Sequence, residues 1–238
     1  MHIQGMDNEK ITRSEGHGRL KRILAVRFGL AGPVLAALFF LPAGTLDYWQ
    51  AWTYMALLLM PIFLVVVYFL KKDPELLERR MRMKEKEPAQ KIIIKLSYLL
   101  FLAAFLLPGF DRRFGWSSVP AWLVLTADII VLAGYGGFFR VMCENRFLSR
   151  VVEVEQQQKV IDTGPYALVR HPMYAAIIPL YLFSPLALGS FWAMIPAAFI
   201  PLVIIARIFN EEKVLSRELP GYRKYARRVK FRLIPGVW

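Results

Sequence analysis

Only a few side chains in this chain are placed to do chemistry. Of its three histidines, His2 and His17 stand in a polar N-terminal stretch, so His171 is the credible site histidine. It belongs to Arg170-His171-Pro172, within the run from Gln156 to Ala176. Proline suits a first helical position and keeps its predecessor out of the helical region, so these residues read as a helix start. Free backbone N–H groups there, beside Arg170 and His171, would favour a carboxylate or phosphate. A purely structural proline-capped membrane helix with a flanking arginine accounts for the same residues. Just upstream, Asp162-Thr163-Gly164-Pro165 is a turn signal. A second pair, Arg207 and Glu211, is four residues apart and shares one helix face. The two either form an intrahelical ion pair or serve a site, as ionisable residues just inside a membrane boundary tend to do.

Other candidates are weaker. Asp128 lies in the middle of an apolar stretch and is either functional or paired to a neighbouring helix. Gly134-Tyr135-Gly136-Gly137 would admit a cofactor or, as small residues usually do, mark close helix packing. A single cysteine, Cys143, excludes an internal disulfide framework and a multi-thiolate metal site, and the histidine count argues against a metal altogether. No Walker motif, H-E-x-x-H or strand-borne G-x-G-x-x-G occurs, so a soluble Rossmann-type nucleotide site is not encoded.

The elements that must position these groups are membrane helices. The chain has 238 residues, 56% of them hydrophobic, with a net charge of +13 and a mean hydropathy of +0.40. The apolar residues are gathered in long runs with the basic ones between them, which argues against nucleic acid as a partner and for loops facing anionic lipid. Apolar stretches at about 22–41, 49–70, 92–109 and 119–142 are each near the roughly 20 residues that span a bilayer. The region 173–209 is too long for one helix, and Leu188-Gly189-Ser190 predicts a hairpin whose first arm is short and broken by Pro179 and Pro185. The expectation is an all-α integral membrane protein of about six transmembrane helices with a C-terminal region at the cytosolic face.

Of the 31 lysines and arginines, 29 fall in the tail, the loop 71–91, the segment 140–172, the C-terminal stretch or near inner helix ends; Arg112 and Arg113 are the two on the opposite face. This asymmetry predicts cytoplasmic termini. Residues 1–19 read as a disordered polar tail rather than a signal peptide, 20–142 as a four-helix membrane region, and 143–238 as the functional core. In the loop 71–91, Leu76, Leu77, Met81 and Met83 have helix-like spacing. It reads as an interfacial amphipathic helix or as a solvated charged loop. Tyr222, Tyr225 and Trp238, among basic residues, look like an interfacial anchor at headgroup depth, with packing the safer reading for most of that stretch.

GPYALVRHPMY followed by NEEKVLSRELPGYRKYARRV resembles the isoprenylcysteine carboxyl methyltransferase family, related to membrane phospholipid methyltransferases. The likeness covers about the last 90 residues; DPELLERR and LPGFDRRFGW are similar to bacterial members, which implies a bacterial inner membrane. The resemblance implies methyl transfer from S-adenosylmethionine at the cytosolic face, with S-adenosylhomocysteine as product. Carried over residue by residue, donor contacts fall on Gln158, Lys159, Val160 and Ile161 of the loop, Tyr166 of the turn, His171, Pro172, Met173 and Tyr174 of the helix start, and Glu211. The substrate-orienting arginine falls on Arg207. Gln158-Lys159 departs from the His-Thr pair of eukaryotic enzymes, so those two positions rest on alignment.

The expected partners are membrane lipids and a lipidic or small apolar acceptor. A carboxylate acceptor is already ionised at neutral pH and needs no general base. The alternatives are a phospholipid amine or a small thiol, and outside enzymes a transporter, against which the lack of an internal repeat speaks.

Overall fold

The structure is a computed structural model that describes the backbone of residues 2–81, 88–155 and 157–238, and the side chains from Gly18 onward apart from 82–89 and 156. The described chain is 75% helical with no strands. The first four predicted spans form α1 (His2–Ala43), α2 (Trp49–Lys72), α4 (Pro88–Phe114) and α5 (Ala121–Glu144), with a short α3 (Pro74–Met81) between α2 and α4. The helix of α1 begins at His2, so helical backbone runs through the segment expected to be a disordered tail. The long apolar run after it provides a helix that can propagate toward the N-terminus.

The hairpin is present in a different form. Helix α6 (Pro172–Ala187) runs unbroken through Pro179 and Pro185, correcting the expected break. Its neighbours can satisfy the backbone groups that the two prolines free. The interruption comes later, at Phe199 between α7 (Met194–Ala198) and α8 (Ile200–Glu218), where Pro201 follows as an early helical residue. Five helices are long and apolar enough to cross a membrane, the fifth running Met194–Glu218. With 16 residues α6 is not among them; at about 1.5 Å per residue it falls short of a hydrocarbon core about 30 Å thick.

α5 and α6 lie in close contact. A Cβ on Gly134 would sit 2.9 Å from the Ala176 carbonyl and the Leu180 Cβ, and one on Gly137 3.0 Å from the Ala176 Cβ. The glycines therefore serve helix packing, not a cofactor. Gly136, on another face, meets open space.

The end of the bundle away from the expected site is closed by a polar knot that the sequence reading did not find. Asp111 is 1% exposed and accepts from the Ser117 N–H and hydroxyl, both at 2.6 Å, and from the Ser190 hydroxyl at 2.5 Å. Nearby the Tyr48 hydroxyl donates to the Leu188 carbonyl at 2.5 Å. These bonds fasten the α4–α5 turn to the α6–α7 turn. Asp111→Ala should strand the buried Ser190 hydroxyl and the two half-buried Ser117 donors and lower stability by about 2 kcal/mol. Thermal unfolding in detergent checks this, and an unchanged midpoint would show that the knot carries no stability.

Of the two readings of the loop 71–91, a helix forms over Pro74–Met81, with its apolar face in protein. Leu76 and Leu77 are 1% and 2% exposed and pack with Val141, Met142 and Tyr166, so this face is buried in protein. Apolar spacing identifies a buried face without saying whether lipid or protein covers it. Met83, also expected there, lies outside the described residues.

Candidate active site

Four elements converge at the other end of the bundle: the loop after α5, the α6 start, the end of α8, and α9 (Tyr222–Arg228). The turn Gly164–Ala167 is a single 3-10 turn, and Gly164 has φ of 54° with a would-be Cβ 2.5 Å from a Glu144 carboxylate oxygen. The positive φ favours glycine, and a side chain there would also have to displace the Glu144 carboxylate. Thr163 donates its hydroxyl to the same carboxylate. The turn presents Tyr166, whose hydroxyl accepts from the Asn145 side chain at 2.9 Å and whose carbonyl accepts from the Tyr225 hydroxyl at 2.8 Å.

The helix start forms as read, with His171 preceding Pro172 at its first position. Its free amides are fewer than expected. The Arg170 and His171 N–H groups donate to the Phe231 and Arg232 carbonyls, each at 2.9 Å, so the C-terminal stretch holds this segment in place. The Ala175 N–H bonds the His171 carbonyl. Since Pro172 has no N–H, only the Met173 and Tyr174 amides remain without a partner inside the helix.

Behind this start Glu212 gathers three basic groups. Arg170 Nε lies 3.0 Å away, His171 Nε2 3.3 Å and Arg232 Nε 3.0 Å, around a carboxylate side chain only 14% exposed. The Arg232 guanidinium also lies over Phe209 and Trp238, at 5.2 and 5.1 Å from their ring centres. His171 is therefore a supporting group whose ring nitrogen is turned to Glu212.

Arg207 and Glu211 share a helix face as predicted, and Tyr174 joins them. The Tyr174 hydroxyl donates to Glu211 Oε2 at 2.7 Å and accepts from Arg207 Nε at 2.8 Å. Arg207 Nη2 also donates to the Arg150 carbonyl at 2.6 Å, and the Gln90 side chain reaches the Arg207 carbonyl at 3.3 Å.

A single cleft of about 850 Å³, its open mouth included, is lined by Gln158, Lys159, Val160, Ile161, Tyr166, His171, Pro172, Met173, Tyr174, Arg207 and Glu211. All the residues predicted for the site thus share one wall or another of it. Asn145, Phe147, Arg170, Tyr222 and Tyr225 line it too. Tyr222 and Tyr225 are 4% and 5% exposed and pack beside Val154 and Val160, so of the two readings, anchor and packing, it is packing that they show. Their spacing of three in a basic run is equally the pattern of a covering helix with a buried side. Trp238 packs against Phe209. Burial pushes the phenols of Tyr166 and Tyr222 well above their ordinary range, so both keep a proton to donate. The buried Tyr222 hydroxyl has no hydrogen-bond partner among the described residues.

Asp128 stands apart from the cleft, 6% exposed, with neither carboxylate oxygen hydrogen-bonded among the described residues. No paired helix acid or base emerges for it there.

Residues 122–220 match the family model described as phospholipid methyltransferase. The match covers 99 of the chain's 238 residues and is a likeness of this segment to that family. The family groups with the isoprenylcysteine carboxyl methyltransferase-like proteins, and its members generally use S-adenosylmethionine. The matched segment begins within α5 and ends after α8, so it holds most of the cleft. No curated protein matches the chain. Together with five helices long and apolar enough to cross a membrane, the family match supports a membrane methyltransferase.

Proposed function

We propose that the protein transfers a methyl group from S-adenosylmethionine to a carboxylate on a lipidic or small apolar acceptor, at the cytosolic face of a bacterial inner membrane. The observation that carries this reading is the Arg207–Tyr174–Glu211 chain on the wall of the cleft, which sets a guanidinium and a carboxylate side by side through one hydroxyl.

The residues suit the donor. It carries an ammonium, a carboxylate, a polar nucleoside and, when bound, an electrophilic methyl on a sulfonium. Glu211 would take the ammonium, the Met173 and Tyr174 amides the carboxylate. The orphaned Tyr222 hydroxyl offers a hydrogen bond to the nucleoside. Val160, Ile161 and the loop backbone at Gln158 and Lys159 would cover its apolar surfaces. Arg207 can present a planar fork to a carboxylate, and holding that group in line supplies several kcal/mol of a transfer barrier. No proton has to be removed, which agrees with His171 being committed to Glu212.

The second reading is methylation of a phospholipid amine, favoured by the description of the matching family. Glu212 is engaged by three basic groups, so proton removal would fall to Glu211. Supplying purified protein with methyl-labelled donor and candidate acceptors separates the two. Label in a base-labile ester supports the carboxylate; base-stable label in a phospholipid amine overturns it in favour of the second reading. Orientation is tested separately. A reporter after Trp238 should be cytoplasmic and one at Ser118 external; the reverse would put the cleft on the wrong side for a donor made in the cytosol.

A further inference from the structure

Arg80 of α3 is outside the Glu212 cluster and outside the lining of the cleft, yet it ends on the same strip of chain as Arg207. Its Nη1 donates to the Ser149 carbonyl at 3.1 Å and lies 3.8 Å from the Met173 sulfur. Arg207 takes the next carbonyl, of Arg150, and the next side chain, Tyr174. Two guanidiniums from separate helices thus grip consecutive residues of the same two segments. Ser149, Met173 and Tyr174 are walls of the cleft, so Arg80 backs that wall from the side of the apolar helices. There it lies over the Phe138 ring, 5.3 Å from its centre.

Burial lowers the pKa of Arg80; Tyr174 and Tyr181 oppose this, and Arg150 and Arg207 add to it. Tyr181 is about two turns beyond Tyr174 along α6, so the charge of Arg80 is felt along the helix face that leads away from the cleft. Arginine stays cationic in such places. Among the described residues no carboxylate forms an ion pair with Arg80; its partners are a carbonyl, a thioether and a ring. A guanidinium in such surroundings, with two more nearby, is costly until an anion joins it.

We propose that Arg80 is a specificity-determining residue that binds the acceptor's carboxylate together with Arg207, the acceptor approaching from the side of α5 and α6 while the donor fills the cleft beyond Met173 and Tyr174. This rests on the carboxylate reading above.

The test uses N-acetyl-S-farnesylcysteine and its carboxamide, which share an apolar tail and differ in charge. Their affinities, and that of S-adenosylhomocysteine, are measured for the full chain in nanodiscs. The wild type should prefer the acid. Arg80→Gln should lose roughly ten- to hundredfold in acid affinity, with the amide and S-adenosylhomocysteine unchanged. Arg80→Lys, which keeps charge without the fork, should fall between. A structural role alone would move all three ligands together and overturn the proposal. Arg80→Gln with full acid preference, while Arg207→Gln loses it, overturns the role of Arg80 and leaves the carboxylate reading standing. A wild type that binds S-adenosylhomocysteine but does not prefer the acid overturns the carboxylate reading itself. Should Arg80→Gln not fold, undiminished acid preference in Arg80→Lys overturns the proposal.

Discussion

Glu212→Gln should destabilise the protein by about 3–5 kcal/mol, the cost of leaving buried charges uncompensated. Arg170, His171 and Arg232 all face this one carboxylate, and they come from the helix start and the C-terminal stretch. Glutamine keeps the shape and loses the charge. The helix start should loosen from α8, and S-adenosylhomocysteine affinity should fall along with the unfolding temperature. His171→Ala should be milder, since it removes one of three partners and leaves Glu212 with both arginines. Thermal unfolding and calorimetry on the two variants check the order. A stable Glu212→Gln protein with intact affinity would mean that the cluster is incidental to the site.

Arg207→Lys should lower turnover roughly ten- to hundredfold while S-adenosylhomocysteine affinity stays near that of the parent. The guanidinium donates to both the Tyr174 hydroxyl and the Arg150 carbonyl, a divided geometry that one ammonium cannot copy. Glu211 keeps its bond from Tyr174, so the donor side should survive. Labelled-methyl transfer and a donor titration on the same preparation decide between outcomes. Loss of donor binding would sink the division of roles between Arg207 and Glu211. Intact binding with intact turnover would reject the carboxylate acceptor and favour the amine.

The parts of the site that could be read from sequence are those governed by local rules. Gly164 and Pro172 announce a turn and a helix start because their backbones admit little else, and both form as read. The shared face of Arg207 and Glu211 follows from helical spacing alone. What joins them does not: Tyr174 stands 33 and 37 residues away, and nothing local marks its hydroxyl as the bridge. Asn145 was equally silent, being one polar residue at a helix end. Leu76, Leu77, Tyr222 and Tyr225 were recognisable as apolar or amphipathic faces, but whether lipid, water or protein met them stayed open, and it is protein that covers them. In a chain whose solvent is partly hydrocarbon, apolar periodicity has two possible partners and the pattern is the same for both.

The pairing of Arg170 and His171 with Phe231 and Arg232 bears on biogenesis. The helix start and its backbone partners are about 60 residues apart in the order of synthesis. Until residues 231 and 232 are made, those two amides lack their carbonyl partners and Glu212 lacks the Arg232 contact. The cleft's helix start therefore gains these contacts only once residues 231 and 232 have been made and lie back against α6. A nascent chain held short of Phe231 would have all five apolar helices but lack the contacts that hold the α6 start in place.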